Sequence, residues 1–187
     1  MQKIIPYAHT ILREVVDKGE IVIDATCGNG HDTLFLSQLV GHTGKVFGFD
    51  IQEQAINQTK NHLQHHQCHN VQLILDGHEQ VKHYVSEEIA GAIFNLGYLP
   101  KGDHSIITKP KATIQAIQAL ITLLKKKGRI VLVVYHGHTG GAEEKQALLD
   151  YCTQLDQQYF QVLQYQFINQ VNNPPFILAI EKIKETN

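Results

Sequence analysis

Apolar positions along the chain follow two alternating patterns. Short runs at Ile21 to Ala25, Lys45 to Phe49, Val71 to Leu75, Gly91 to Asn95 and Arg129 to Tyr135 have the length and composition of strands. Between them, apolar residues recur at helical spacing. Leu34, Leu36, Leu39 and Val40 form one stripe, and Ala55, Ile56, Thr59 and Leu63 a second. Ile114, Ile117, Leu120, Ile121 and Leu124 predict a long amphipathic helix that Gly128 stops. Glu143 to Leu155 reads as a further helix. Ile130 to Val134 is apolar without interruption, which predicts a central strand covered on both faces. Strand and helix alternate, so the expected sheet is parallel with crossover helices. Phe160 to Ile168 and Phe176 to Ile183 break that rhythm. Two strands with only the turn-forming Asn172-Asn173-Pro174-Pro175 between them imply an antiparallel hairpin. No repeat, low-complexity stretch or linker divides the chain, so residues 1–187 are expected to form a single domain.

A chain of 187 residues can bury one sizeable core. Lys plus Arg is 16 against 18 for Asp plus Glu, a formal net charge of -2. That balance excludes a strongly basic nucleic-acid coat and leaves room for a local basic patch. Cys27, Cys68 and Cys152 are odd in number and widely spaced, which suits a reducing cytoplasm and no disulfide framework. Met1 to Leu12 has no apolar run of the signal-peptide kind, and no stretch is long enough for a membrane span. A soluble, cytoplasmic protein with no membrane partner is expected. Histidine is abundant, at 12 residues. His62, His65, His66 and His69 cluster beside Cys68, yet their spacing fits no zinc template, and the neighbouring Asn61, Gln64, Gln67 and Asn70 suit a solvated helix end. No metal is expected.

Candidate chemistry begins at Asp24-Ala25-Thr26-Cys27-Gly28-Asn29-Gly30-His31-Asp32, a glycine-rich turn between a strand and a helix. Open α/β sheets bind ligands at that edge. A dinucleotide site would want a third glycine at position 33, where Thr33 stands. An acid, Asp24, precedes the glycines instead. That suits a ligand with a cationic amino-acid end and no phosphate, such as S-adenosylmethionine. The form Asp-x-x-x-Gly-x-Gly resembles the first methyltransferase motif. Its partner is Gly48-Phe49-Asp50-Ile51-Gln52, where Asp50 could accept ribose hydroxyls, cap the next helix, or do both. Asp76-Gly77-His78 ends the third strand; His78 could meet an adenine amino group or stand exposed in a loop.

The fourth strand runs into Asn95-Leu96-Gly97-Tyr98-Leu99-Pro100-Lys101-Gly102-Asp103. Amino-group methyltransferases carry Asn/Asp-Pro-Pro-Tyr/Phe here, and this stretch is similar but has Leu96-Gly97 in place of the prolines. Asn95 offers an acceptor for an amine N–H, and Tyr98 a face for a flat base; the alternatives are a turn residue and a core aromatic. Asp103 could take a proton from an amine. After the fifth strand, Tyr135-His136-Gly137-His138-Thr139-Gly140-Gly141 places two histidines for substrate contact or proton relay. Asn172 to Phe176 forms either a second rim or only the hairpin turn.

Together these segments are similar to one bacterial family, formerly labelled rRNA methylases and understood as tRNA wobble-uridine 5-aminomethyl-2-thiouridine methyltransferases. The resemblance covers nearly the whole chain in order. It implies a Rossmann-like class I methyltransferase fold: an α/β, seven-stranded, mostly parallel sheet with a C-terminal antiparallel hairpin and helices on both faces. It also implies methyl transfer from S-adenosylmethionine to 5-aminomethyl-2-thiouridine at position 34 of tRNA. The residues then assigned to the cofactor are Asp24, Cys27, Gly28, Asn29, Gly30, Asp32, Asp50, Gln52, Gly77 and His78. Asn95, Tyr98 and Asp103 are assigned to catalysis, and Lys101, Tyr135, His136 and His138 to substrate. The expected partner is the tRNA anticodon arm, whose bases can be splayed out and stacked. A compact enzyme would read it with its own rim, alone or as a homodimer. Lys101, Lys109 and Lys111, beside the chemistry loop, are better placed for phosphates than Arg13 or the run Lys125-Lys126-Lys127-Arg129, which reads as a helix end facing water. The competing readings are a methyltransferase acting on rRNA, another tRNA base or a small amine; a nicotinamide-dependent oxidoreductase; and a binding module without turnover.

Overall fold

The computed structural model describes residues 1–97 and 108–185. Among them, one sheet contains β1 (Ile21–Asp24), β2 (Lys45–Asp50), β3 (Val71–Leu75), β4 (Ile89–Leu96), β5 (Leu124–Val134), β6 (Phe160–Tyr165) and β7 (Phe176–Lys182). The helices are α1 (Ile4–Arg13), α2 (His31–Val40), α3 (Glu53–His65), α4 (Pro110–Leu123) and α5 (Gly141–Thr153), with a 3-10 turn at His78–His83. Strand order is β3-β2-β1-β4-β5-β7-β6. The first five strands are parallel, and β7 lies antiparallel between β5 and β6. This is a Rossmann-like α/β sheet closed by a hairpin.

The pleat sorts two cores, because successive side chains point to opposite faces. Ile23, Phe47, Phe94, Ile130, Leu132 and Val134 share one cluster with Ile117 and Leu120 of α4 and Leu148 of α5. Val22, Val46, Ile93, Val131 and Val133 share the other with Ile11 and Leu12 of α1 and Leu36 and Val40 of α2. Every residue from Ile130 to Val134 is fully buried, which is why the central strand is apolar at each position.

Two elements differ from expectation. The long helix does not run to Gly128. It ends at Leu123, and Leu124 turns extended to pair with Ile89. The Leu124 side chain is 1% exposed, so burial and ladder pairing win over continued helical bonding. Lys125-Lys126-Lys127 consequently starts a strand and does not end a helix. Lys125 bonds Glu20 at 2.5 Å, and Arg129 is held by Glu14 and Glu181, each at 2.6 Å. The other difference is α1, an element additional to those expected. Its buried Ile4, Ala8, Ile11 and Leu12 recur at helical spacing, and Pro6 sits in the first turn, where its missing N–H costs nothing.

Strand order reverses about β1, since β2 and β3 lie to one side and β4 and β5 to the other. The crevice at the carboxyl ends of the strands opens at such a switch point.

Candidate active site

The turn after β1 is held from behind by Asp24. This carboxyl is fully buried and does not line the cavity. Its Oδ1 accepts the Thr26 N–H at 3.1 Å, and its Oδ2 accepts the Thr33 hydroxyl at 2.6 Å. Burial and the nearby Asp32 push its pKa up to about 7. Asp24 therefore shapes the loop and is not placed to meet a ligand, contrary to the assignment from sequence. Gly30 is likewise a packing residue outside the cavity. Its φ is +80°, and a Cβ there would lie 2.9 Å from the Thr59 Cα on α3. Thr59 also donates its hydroxyl to the Gly28 carbonyl, at 3.3 Å, clamping the loop to that helix.

Asp50 faces the cavity from the end of β2. Its Oδ2 accepts the Gly28 N–H and its Oδ1 the Gln52 N–H, both at 2.9 Å. Helix α3 begins after Gln52 without a side-chain cap, so Asp50 makes an Asx-type turn and does not cap the helix. Each carboxylate oxygen carries two lone pairs, so one acceptor site per oxygen remains beyond these bonds. Burial raises the Asp50 pKa, and the Gln52 and Gly28 N–H groups, His78 and the Ile51 N–H hold it back.

His78 lines the cavity and is not an exposed loop residue. Its Nδ1 lies 3.0 Å from the Ala25 carbonyl oxygen. A carbonyl cannot donate, so the proton is assigned to Nδ1. Burial lowers its pKa and favours the neutral ring. Nε2 is then a buried acceptor, and it has no partner among the described residues.

Asn95 ends β4 on the opposite wall. Its backbone N–H donates to the Thr26 hydroxyl at 2.7 Å, and its side-chain Nδ2 donates to Asp32 Oδ2. Asp32 Oδ1 meets His9 Nε2 at 2.6 Å. One of the amide's two N–H donors is thus committed to a carboxylate, which turns the amide nitrogen toward Asp32. Tyr135 and His138 line the same wall. Burial and the Asp32 charge raise the Tyr135 pKa. His136 is turned away: its Nε2 donates to the Pro174 carbonyl at 3.2 Å and its ring packs near Phe176. It ties the loop to the hairpin and does not line the cavity, a third departure from the expected site after Asp24 and Gly30. Asn173, from that hairpin, does reach the rim. Tyr98, Lys101 and Asp103 lie outside the described residues.

The cavity measures about 740 Å³, within the ordinary range for small-molecule sites. Of the residues assigned from sequence, Cys27, Gly28, Asn29, Asp32, Asp50, Gln52, Gly77, His78, Asn95, Tyr135 and His138 line it. Ile5, Thr26, His31, Ile51 and Glu79 also line it and were not assigned. Thr26, His31 and Ile51 sit inside the two quoted motifs, where adjacency was the available signal. Ile5, on α1, had none. His31 stacks edge-on to His62 at 5.1 Å, and His62 in turn lies 4.7 Å from His66. Among the described residues no group of three or more His, Cys, Asp or Glu is arranged to hold a metal ion. Nor is any helix there long and apolar enough to cross a membrane.

Residues 46–181 match the family described as "Putative rRNA methylase". The chain belongs to this family. Among its relatives is the tRNA (mnm(5)s(2)U34)-methyltransferase, chloroplastic, of Arabidopsis thaliana. The two are 36% identical over 188 residues, covering 94% of this chain and 68% of that one. A solved structure from Clostridium thermocellum, described as "putative rRNA-methylase", is 44% identical with a TM-score of 0.96, covering 98% of this chain and 99% of the other. A protein from Streptococcus mutans described as "a putative methyltransferase", solved in complex with SAH, is 47% identical with a TM-score of 0.91, covering 97% and 99%. The family fold is therefore the Rossmann-like methyltransferase fold described above.

Proposed function

We propose that this protein methylates the aminomethyl nitrogen of 5-aminomethyl-2-thiouridine at wobble position 34 of tRNA, giving 5-methylaminomethyl-2-thiouridine. As a member of its family the chain is an S-adenosylmethionine-dependent methyltransferase. SAH, bound to the Streptococcus mutans relative, is what S-adenosylmethionine becomes once its methyl is gone.

The residues present fit that cofactor. Asp50, Asp76 and Glu79 line the cavity, a carboxylate set suited to a ligand bearing a sulfonium and an ammonium. The two remaining acceptor sites of Asp50 match a ribose diol. The partnerless Nε2 of His78 matches a donor such as an exocyclic amine. When bound, S-adenosylmethionine supplies an electrophilic methyl on sulfur. The nicotinamide alternative loses its footing at Thr33, which is fully buried and bonded to Asp24 where the dinucleotide pattern wants a glycine.

The observation that carries the proposed substrate is the fixed Asn95 amide. One N–H of its nitrogen is held by Asp32, and in this reading the amide oxygen is the atom that meets the nucleophile. That oxygen accepts an N–H, which aims the nitrogen lone pair across the cavity. The chain's contribution is alignment, with no covalent step of its own. The relative named for mnm(5)s(2)U34 supports which amine this is. Tyr135, 40% exposed at the rim, offers a face for a splayed base, and Lys109 a charge for phosphate. In this reading the tRNA anticodon arm is the partner and the cytoplasm the place.

The test is direct. The protein is incubated with methyl-labelled S-adenosylmethionine and either tRNA lacking the terminal methyl or ribosomal RNA, and the nucleosides are resolved by mass spectrometry. Label on the wobble nucleoside alone is expected. Label in ribosomal RNA with none at position 34 would sink the reading and keep the enzyme class.

A further inference from the structure

The bonds beneath Asn95 reach back to α1. Ile5, His9 and Arg13 stand four residues apart, on one stripe of that helix. Ile5 lines the cavity; His9 does not. The His9 ring lies flat on Phe35, with centroids 3.8 Å apart and planes 6° apart. The guanidinium carbon of Arg13 sits 4.8 Å over the same Phe35 ring. Phe35 follows Asp32 by one turn of α2. The stack fixes the plane of the imidazole, and its Nε2 meets Asp32 Oδ1 at 2.6 Å. The two side chains are 18% and 9% exposed, so little water competes for the bond.

Asp32 in turn decides how Asn95 is presented. A side-chain amide is nearly the same shape in its two orientations, with donor and acceptor exchanged. A partner that accepts and never donates selects the orientation with the nitrogen toward it, and the carboxylate Oδ2 of Asp32 is such a partner. A carboxylate bonded at one oxygen can still swing; bonded at both, it cannot. We propose that His9 is a positioning residue for methyl transfer. By pinning Asp32 it keeps the Asn95 amide nitrogen turned to the carboxylate and the amide oxygen turned to the nucleophile. The inference rests on reading Asn95 as the acceptor for the nucleophile's N–H.

Four proteins separate the two ideas: wild type, His9→Phe, His9→Gln and Asn95→Ala. Phe keeps the stack on Phe35 and drops the N–H, whereas Gln keeps a donor. Each full-length protein is assayed for steady-state methylation of tRNA bearing 5-aminomethyl-2-thiouridine, and titrated with S-adenosylmethionine by calorimetry. His9→Phe is expected to lower kcat at least about tenfold, toward the roughly hundredfold that a small misplacement costs. KM for tRNA and Kd for S-adenosylmethionine should hold at wild-type values, and His9→Gln should recover most of kcat. Unchanged kcat in His9→Phe with a loss in Asn95→Ala overturns the role of His9 and leaves that of Asn95. Full kcat in both variants overturns the reading of Asn95 and this inference with it. A fall in cofactor affinity that matches the fall in kcat, or unfolding of His9→Phe seen by circular dichroism, also overturns a positioning role.

Discussion

The two walls of the cavity are built by different means. On the β1–β2–β3 side the backbone does the holding. The Gly28 and Gln52 N–H groups set Asp50, and the Ala25 carbonyl sets His78. On the β4–β5 side, side chains hold side chains: Asp32 grips Asn95 and His9 grips Asp32. The first kind of wall is written in short contiguous motifs, because the turns after neighbouring parallel strands supply both partners. The second adds His9 of α1, which lies outside every motif read from the sequence. Backbone-held groups should fail in binding, and side-chain-held groups in alignment.

The largest expected effect concerns what stands behind the first wall. Asp24 has its pKa raised from the ordinary carboxylate range to about 7, so the native state holds its proton where the unfolded chain has released it. Its contribution to stability is complete below about pH 4 and is lost as pH rises toward 7, on the order of a few kcal/mol. Asp24→Asn cannot ionise. Thermal midpoints taken from pH 4 to 8 should fall for wild type relative to this variant across that window, and parallel curves would remove Asp24 from this role. Next comes Asn95→Ala, expected to cut turnover by about a hundredfold while calorimetry finds cofactor affinity unchanged. Asp50→Ala should do the reverse. It should weaken S-adenosylmethionine binding by about tenfold or more, the worth of a charge-assisted hydrogen bond. Equal losses of cofactor affinity in these two variants would erase the contrast between the walls. The smallest effect belongs to His136→Ala, which removes the tie to Pro174. Denaturant unfolding should show a loss of about 1 kcal/mol with cofactor affinity intact.

Particular residues show why some of this was legible in the sequence. The unbroken run Ile130 to Val134 reads as a strand buried on both faces, and the parallel sheet follows from the alternation of strand and helix. Asn172-Asn173-Pro174-Pro175 marked the closing hairpin, with both asparagines at positive φ. Asp24 and Asp50 looked alike, each an acid ending a strand within a few residues of a glycine. Their roles diverge because one is sealed by Thr26 and Thr33 and the other opens on the cavity, and burial of that kind is a tertiary fact. The stripe Ile4, Ala8, Ile11 and Leu12 was present for α1. Nothing local to it says that the helix crosses the sheet with His9 turned to Asp32. Gly128 is a sound stop signal by propensity, yet Leu124 leaves the helix earlier, drawn by its pairing with Ile89.

The hydrogen bond from the Asn95 backbone to the Thr26 hydroxyl joins the two walls across 69 residues of sequence. The turn after β1 and the end of β4 are therefore fastened to each other, and neither edge of the crevice shifts without straining or breaking that bond.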